Sequence, residues 1–140
     1  MVIGVVERDG DLRAIHVAGD RTHGAIRKFV TENVAEGSNL MTDEHAAYRH
    51  LTGFYHYSVN HSKKEYVRDG FIHTNTLEGA WSLLKRQIYG IHHWVSPKHL
   101  QRYVSEMTWR YNRREMEEGN RLNALIAGSD GRLTYKALVA

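Results

Sequence analysis

Residues 73–90, HTNTLEGAWSLLKRQIYG, constrain this chain more than any other stretch. Leu77, Trp81, Leu84 and Ile88 fall at i, i+4, i+7 and i+11, the apolar stripe of an amphipathic helix. Asn75, three residues before Glu78, has the form of a capping box with Asn75 as the cap. Gly90 is a natural stop. Glu78, Ser82 and Lys85 run beside the stripe, and Glu78 and Lys85, about two turns apart, point off one face. A carboxylate and a lysine so arranged suit binding a metal and a phosphate together. They also suit a plainer role, with Glu78 as the partner of the cap and Lys85 as a solvated lysine favoured by the helix C-terminal dipole.

The chain has 140 residues, one domain's worth, with 41% hydrophobic and 25% charged residues, as in ordinary globular proteins. It has no cysteine, which excludes a disulfide framework and a thiolate metal site. No apolar run approaches the ~20 residues of a membrane span, and MVIGVVERDG lacks the basic and apolar regions of a signal peptide. A cytoplasmic location is expected. The ten histidines show no HExxH or comparable ligand spacing, so a zinc site is not expected.

The net charge is +3, unevenly spread. Between residues 85 and 114, Lys85, Arg86, Lys98, Arg102, Arg110, Arg113 and Arg114 face one acid, Glu106. The same region holds His92, His93, Trp94, His99, Tyr103, Trp109 and Tyr111. Basic residues interleaved with aromatics fit a phosphate-backbone surface, or a solvated helix face over an aromatic core.

In order, Val2 to Val6 is a β-branched strand, and Asp9-Gly10 signals a hairpin into a second strand over residues 12–17. A helix is expected from Thr22 to Val34, with Ile26, Phe29, Val30 and Val34 inward. Residues 39–42 read as a short buried strand running into Asp43, at the strand end where α/β folds place catalytic groups. Asp43 can equally cap a helix over residues 44–51. Tyr55 to Val59 reads as a strand and residues 60–71 as a surface loop. Ser96-Pro97 opens the longest helix, with Leu100, Tyr103, Val104, Met107 and Tyr111 inward and Glu106 placed to pair with Arg110. A short helix is expected over Leu122 to Ile126.

TDEHAAY (42–48), VNHSKKEYV (59–67), HTNTLEGAWSLLKRQIYG (73–90), SPKHLQRYVSEMTWRYNRR (96–114) and GRLTYKAL (131–138) together resemble the ISXO-like family of bacterial insertion-sequence transposases. The resemblance implies a ribonuclease-H-like α/β fold, a mixed sheet flanked by helices. It implies a DDE-type active site using Mg²⁺ or Mn²⁺, and cleavage and joining of DNA strands at transposon ends. Two metal ions about 3.5–4 Å apart would stabilise the attacking and leaving oxygens. Carried over, Asp43 matches the second acidic ligand, Glu78 the helix carboxylate, and Lys85 the lysine near the scissile phosphate. Asn75 is a rival third ligand, and His73 a candidate neighbour of the phosphate. His73, Lys85, Arg86, Lys98, Arg102, Arg110 and Arg113 form the expected DNA-binding set.

The family's first catalytic aspartate belongs to a strand ahead of the hairpin, in a motif resembling DETY, which this sequence does not contain. Asp9 and Asp11 fall in the hairpin turn, and Asp20 follows the second strand. The expected reading is a catalytic domain over residues 1–114 lacking its first strand and impaired in activity, with a helical tail over 115–140 packed on it. The expected partners are DNA and further copies of the chain on DNA, with no membrane. A non-catalytic remnant that binds DNA or a full-length transposase is the alternative.

Overall fold

The computed structural model describes residues 1–19, 23–43, 48, 51–59, 72–129, 131 and 134–139. Strands β1 (Val2–Val6) and β2 (Leu12–His16) form an antiparallel hairpin. Helix α1 (His23–Asn33) follows, then a parallel pair of short strands, β3 (Asn39–Thr42) and β4 (Tyr55–Ser58). Helix α2 (Asn75–Arg86) runs on into a π-helical turn, Gln87–His92. A 3₁₀ turn, Pro97–His99, opens α3 (Leu100–Asn112), and α4 (Glu118–Ala127) and α5 (Tyr135–Val139) complete the described chain. The expected loop over 60–71 and most of the expected helix over 44–51 lie outside the described residues. Tyr48 and Leu51 are described, and both pack inward as expected.

The apolar run VIGVV is explained by burial on both faces. Ile3 and Val5, with Ile15 and Val17 of the neighbouring segment, join Ile26, Phe29 and Val30 of α1 in one core cluster. Val2 and Val6, with Leu12 and Ala14, join Ala80 and Leu84 of α2 and Val104 and Met107 of α3 in another. The hairpin is thus a wall between two cores. Trp81 closes on the wall at Gly4, where an added Cβ would meet the indole at 2.7 Å.

The hydrogen-bond register of that wall determines where the sheet can grow. Val17 N–H donates to the Met1 carbonyl and Glu7 N–H to the Asp11 carbonyl, at 2.8 and 3.0 Å. Antiparallel pairs alternate, so odd-numbered residues of β1 bond to β2, while Val2, Gly4 and Val6 turn their backbone groups outward. On the far side of β2, the outward groups at both ends of the strand are met by side chains. Asn112 accepts from Leu12 N–H at 2.8 Å and donates to its carbonyl at 3.0 Å. Gln101 accepts from His16 N–H at 2.6 Å. Two amides of α3 therefore act as the missing neighbour of β2.

No such closure occurs on β1, which has no second strand neighbour among the described residues. The same is true of β3. Tyr55 N–H bonds the Ser38 carbonyl and Val59 N–H the Thr42 carbonyl, so Asn39 and Met41 present their backbone groups away from β4. The expected hairpin, helix and strands are all present, but as two two-stranded sheets rather than one.

Three local readings are corrected. The capping position of α2 is Thr74, with Asn75 the first helical residue, and no side chain bonds the exposed backbone N–H groups there. Thr74 spends its hydroxyl on the Glu78 carboxylate instead, at 2.7 Å. Gly90 does not stop the helix; it lies inside the π turn, with Ile88 held in the core ahead of it. Ser96 is extended and makes no capping bond, so Pro97 begins a 3₁₀ turn before the α-helix starts at Leu100. The Glu106–Arg110 pair forms as expected, at 3.0 Å.

Asn112→Ala removes both bonds to Leu12 and leaves a partly buried donor and acceptor without partners. It should cost roughly 1–3 kcal/mol, read as a lower denaturant midpoint at unchanged slope. Gln101→Ala, which frees one donor, should cost less.

Candidate active site

The open edges of β1 and β3 face a common cleft of about 960 Å³. Residues 3–8 form one wall, residues 37–43 another, and the start of α2, from His73 to Trp81, closes the cleft across them. Arg8 reaches over to β3, its Nη2 3.1 Å from the Met41 thioether.

Asp43 emerges exposed from the end of β3 and lines this cleft. The residue before it is buried and fixed. The Thr42 hydroxyl donates to the Asp43 carbonyl at 2.8 Å and lies 2.8 Å from His56 Nε2 on β4. A hydroxyl has one proton, so with that proton on the carbonyl, His56 Nε2–H is the donor to Thr42. Burial holds the His56 pKa below its usual value. Tyr48 also lines the cleft, and its phenol pKa is raised by burial and then by the negative charge of Asp43. The phenol therefore remains a neutral donor at physiological pH.

Glu78 enters from the first turn of α2, where its negative charge complements the helix dipole. His73 lines the cleft as well, and its Nδ1 is buried with no hydrogen-bond partner. Asn75 does not line it, since Thr74 and Thr76 take the inward positions. Of the residues singled out in the sequence, the cleft gathers Asp43, Glu78 and His73.

It does not gather the basic set. Lys85 and Arg86 lie in the last turn of α2, both exposed. Lys98 and Arg102 belong to the start of the next helical stretch, where Arg102 Nη2 lies 3.5 Å from the Ala137 carbonyl. Arg110 is paired with Glu106, and the Arg113 guanidinium lies 4.5 Å over the Trp109 ring. These residues lie on or at the ends of the helices, exposed except for the half-buried Arg113, and none lines the carboxylate cleft.

Four charged residues of the cleft were not singled out by sequence: Glu7, Arg8, Asp11 and Arg13. Assigning Asp11 to the hairpin turn removed it from consideration. The available signal was Glu7, one residue past the apolar run and hydrogen-bonded across the hairpin to Asp11.

Mg²⁺ commonly keeps several waters and takes only one or two carboxylates, so Asp43 and Glu78 are a fitting donor pair in kind, whereas the His73 nitrogen is a poor ligand for so hard an ion. Among the described residues, however, no three His, Asp or Glu side chains gather closely enough to hold an ion.

A family model, the ISXO2-like transposase domain, matches residues 1–112. The chain belongs to this transposase family. No curated protein and no solved structure matches it. Within this transposase domain, the matched span contains both cores, the cleft and all of the basic helices up to Asn112. Helices α4 and α5 lie beyond it, and α4 leaves Leu122, Leu125 and Ile126 exposed. Among the described residues, no helix is long and apolar enough to cross a membrane.

A depressed His56 pKa has a definite sign. The unfolded chain binds a proton at His56 before the folded one does, so the stability it contributes is full above about pH 6.5 and declines as the pH falls below that. His56→Gln keeps a donor for Thr42 and cannot titrate. Melting temperatures from pH 7.5 to 5 should fall less steeply for His56→Gln than for the parent; equal slopes would remove His56 from the account.

Proposed function

We propose that this domain acts in metal-dependent cleavage and transfer of DNA strands at the ends of an insertion sequence. Asp43 and Glu78 serve as metal ligands, and Lys85 contacts a phosphate. The observation that carries the reading is that two carboxylates from separate elements, the end of β3 and the first turn of α2, line one cleft in a transposase-family chain.

The ribonuclease-H-like arrangement belongs to the same proposal. The family resemblance puts a strand with the first aspartate ahead of β1. The outward backbone groups of β1 and β3 along one cleft support a strand between them, which would join the two ladders into a mixed sheet. A carboxylate on that strand would supply the ligand that the described residues lack. When bound, Mg²⁺ would stabilise negative charge on the attacking and leaving oxygens of the phosphodiester. The chain's own residues orient the site: Thr74 holds the Glu78 carboxylate, and Thr42 with His56 fixes the strand end that presents Asp43. Asn75, outside the cleft, is better read as the first residue of α2 than as a ligand.

DNA is held by the exposed cations of α2 and α3, chiefly through phosphates and with little base readout. Further copies of the chain would bind alongside on DNA, with residues 115–140 as a helical tail on the same domain. The alternative is a non-catalytic remnant that binds DNA or a full-length transposase through the same surface.

Calorimetric Mn²⁺ titration separates the two readings. Saturable binding that weakens about tenfold or more in both Asp43→Ala and Glu78→Ala, with melting temperatures held, supports the metal site. Unchanged affinity in both variants would sink it. For DNA, Lys85→Ala should lower the slope of log K against log salt by about 0.9, the loss of one phosphate contact. The parental slope would return Lys85 to a solvated surface role.

A further inference from the structure

The segment linking α2 to α3 presents apolar surface in an unusual way. Tyr89, Ile91 and Trp94 are 73%, 70% and 74% exposed. They are not on a frayed end. Ile88 packs in the core, Gln87 Nε2 donates to Glu106 Oε2 at 3.1 Å, and the His92 ring meets Tyr103 edge-on at 4.6 Å. Two costly backbone forms hold them out. The first is the π-helical turn, a rare form frequent at functional sites. The second is a γ-turn at His93, with φ 60° and ψ −38°, closed by Trp94 N–H on the His92 carbonyl at 2.6 Å. A γ-turn with positive φ at its centre is the rare, strained kind, and it sits directly before the most exposed tryptophan.

Charge identifies the occupant. Residues 79–105 contain no aspartate or glutamate, and the apolar knob is flanked by exposed Lys85, Arg86 and Lys98. Glu106, the one acid at its base, is already taken up by Gln87 and Arg110. A mainly cationic rim around two aromatics and an isoleucine is complementary to bases with their phosphates. In a duplex the base faces are hidden by stacking, whereas unpaired bases offer them. We infer that the knob at Tyr89, Ile91 and Trp94 stacks on unpaired bases of single-stranded DNA, while Lys85, Arg86 and Lys98 hold the adjoining phosphates. This deepens the DNA-binding reading above and rests on it, naming unpaired DNA as the substrate form recognised at this surface.

The test uses the full 140-residue chain with dT20 and a 20-base-pair duplex as probes. The parent should bind dT20 with quenching of tryptophan emission, and Trp94→Ala should remove most of that quenching. Trp94→Ala should weaken dT20 binding about tenfold or more, as loss of a base–aromatic stack does, and leave duplex affinity within about twofold. Tyr89→Ala should act in the same direction, and Trp94→Phe should keep most of the affinity. Because Trp94 is exposed, the melting temperature should hold in each variant. Unchanged dT20 binding in Trp94→Ala overturns the inference while leaving duplex binding, and so the broader reading, intact. A parent that binds neither probe overturns both. If Trp94→Ala abolishes self-association in sedimentation without altering dT20 binding, the knob belongs to a second copy of the chain and the inference fails.

Discussion

Two side-chain amides on α3 decide which way the sheet of this domain can extend. Asn112 and Gln101 take up the outward backbone groups at the two ends of β2, Leu12 and the His16 N–H, so α3 occupies that edge. The other edge of the hairpin, on β1, opens into the cleft, and β3 opens into the same cleft from the opposite wall. Unpaired backbone groups are costly when dry and invite pairing when wet. Among the described residues, the two edges of the hairpin are treated differently. The carboxylates Asp43 and Glu78 line the cleft beside that second edge.

The double burial of β1 makes that arrangement rigid. With α1 against one face of the hairpin and α2 and α3 against the other, the wall cannot rotate without opening a core. Trp81 adds a steric lock at Gly4, where no side chain would fit beneath the indole. Glu78 lies three residues before Trp81, so the contact that fixes α2 on the wall also fixes the carboxylate over the cleft.

What could be read in the sequence was local or periodic. Alternation and Asp9-Gly10 gave the hairpin, and the 3.6-residue stripes gave α2 and α3 with their inward residues. The motif series gave the family. What could not be read depends on distant partners. Asn112 and Leu12 are 100 positions apart, and nothing near either residue announces their double bond. The cap of α2 slipped by one residue because Thr74 and Asn75 are both good caps on paper, and only the fold assigns the hydroxyl to Glu78. Gly90 misled for a related reason. A glycine permits a helix to end, but Ile88 and Gln87, anchored in the core and on Glu106, carry the backbone past it in a wider turn. Asp43 and Glu78 were legible as candidate residues, and the outline of the cleft they line was not, since Glu7, Arg8, Asp11 and Arg13 reach it only through the pairing of β1 with β2.

Helix α2 connects the two chemistries of the domain. Its first turn carries Glu78 into the cleft, and its last turn carries Lys85 and Arg86 into solvent. Acid at the N-terminus and base at the C-terminus both complement the helix dipole, so the polarity needed by the site is also one the helix favours by itself. At 1.5 Å per residue, Glu78 and Lys85 are separated by about 10 Å along the axis. That distance exceeds the Debye length of about 8 Å in physiological salt, so the two ends act on a ligand largely independently. Within the cleft the carboxylates of Glu7, Asp11, Asp43 and Glu78 outnumber the guanidinium groups of Arg8 and Arg13, so a phosphate would enter against a net negative lining. On the proposed reading, a phosphate and a cation in this cleft would each favour the other's binding, since the cation offsets that negative lining.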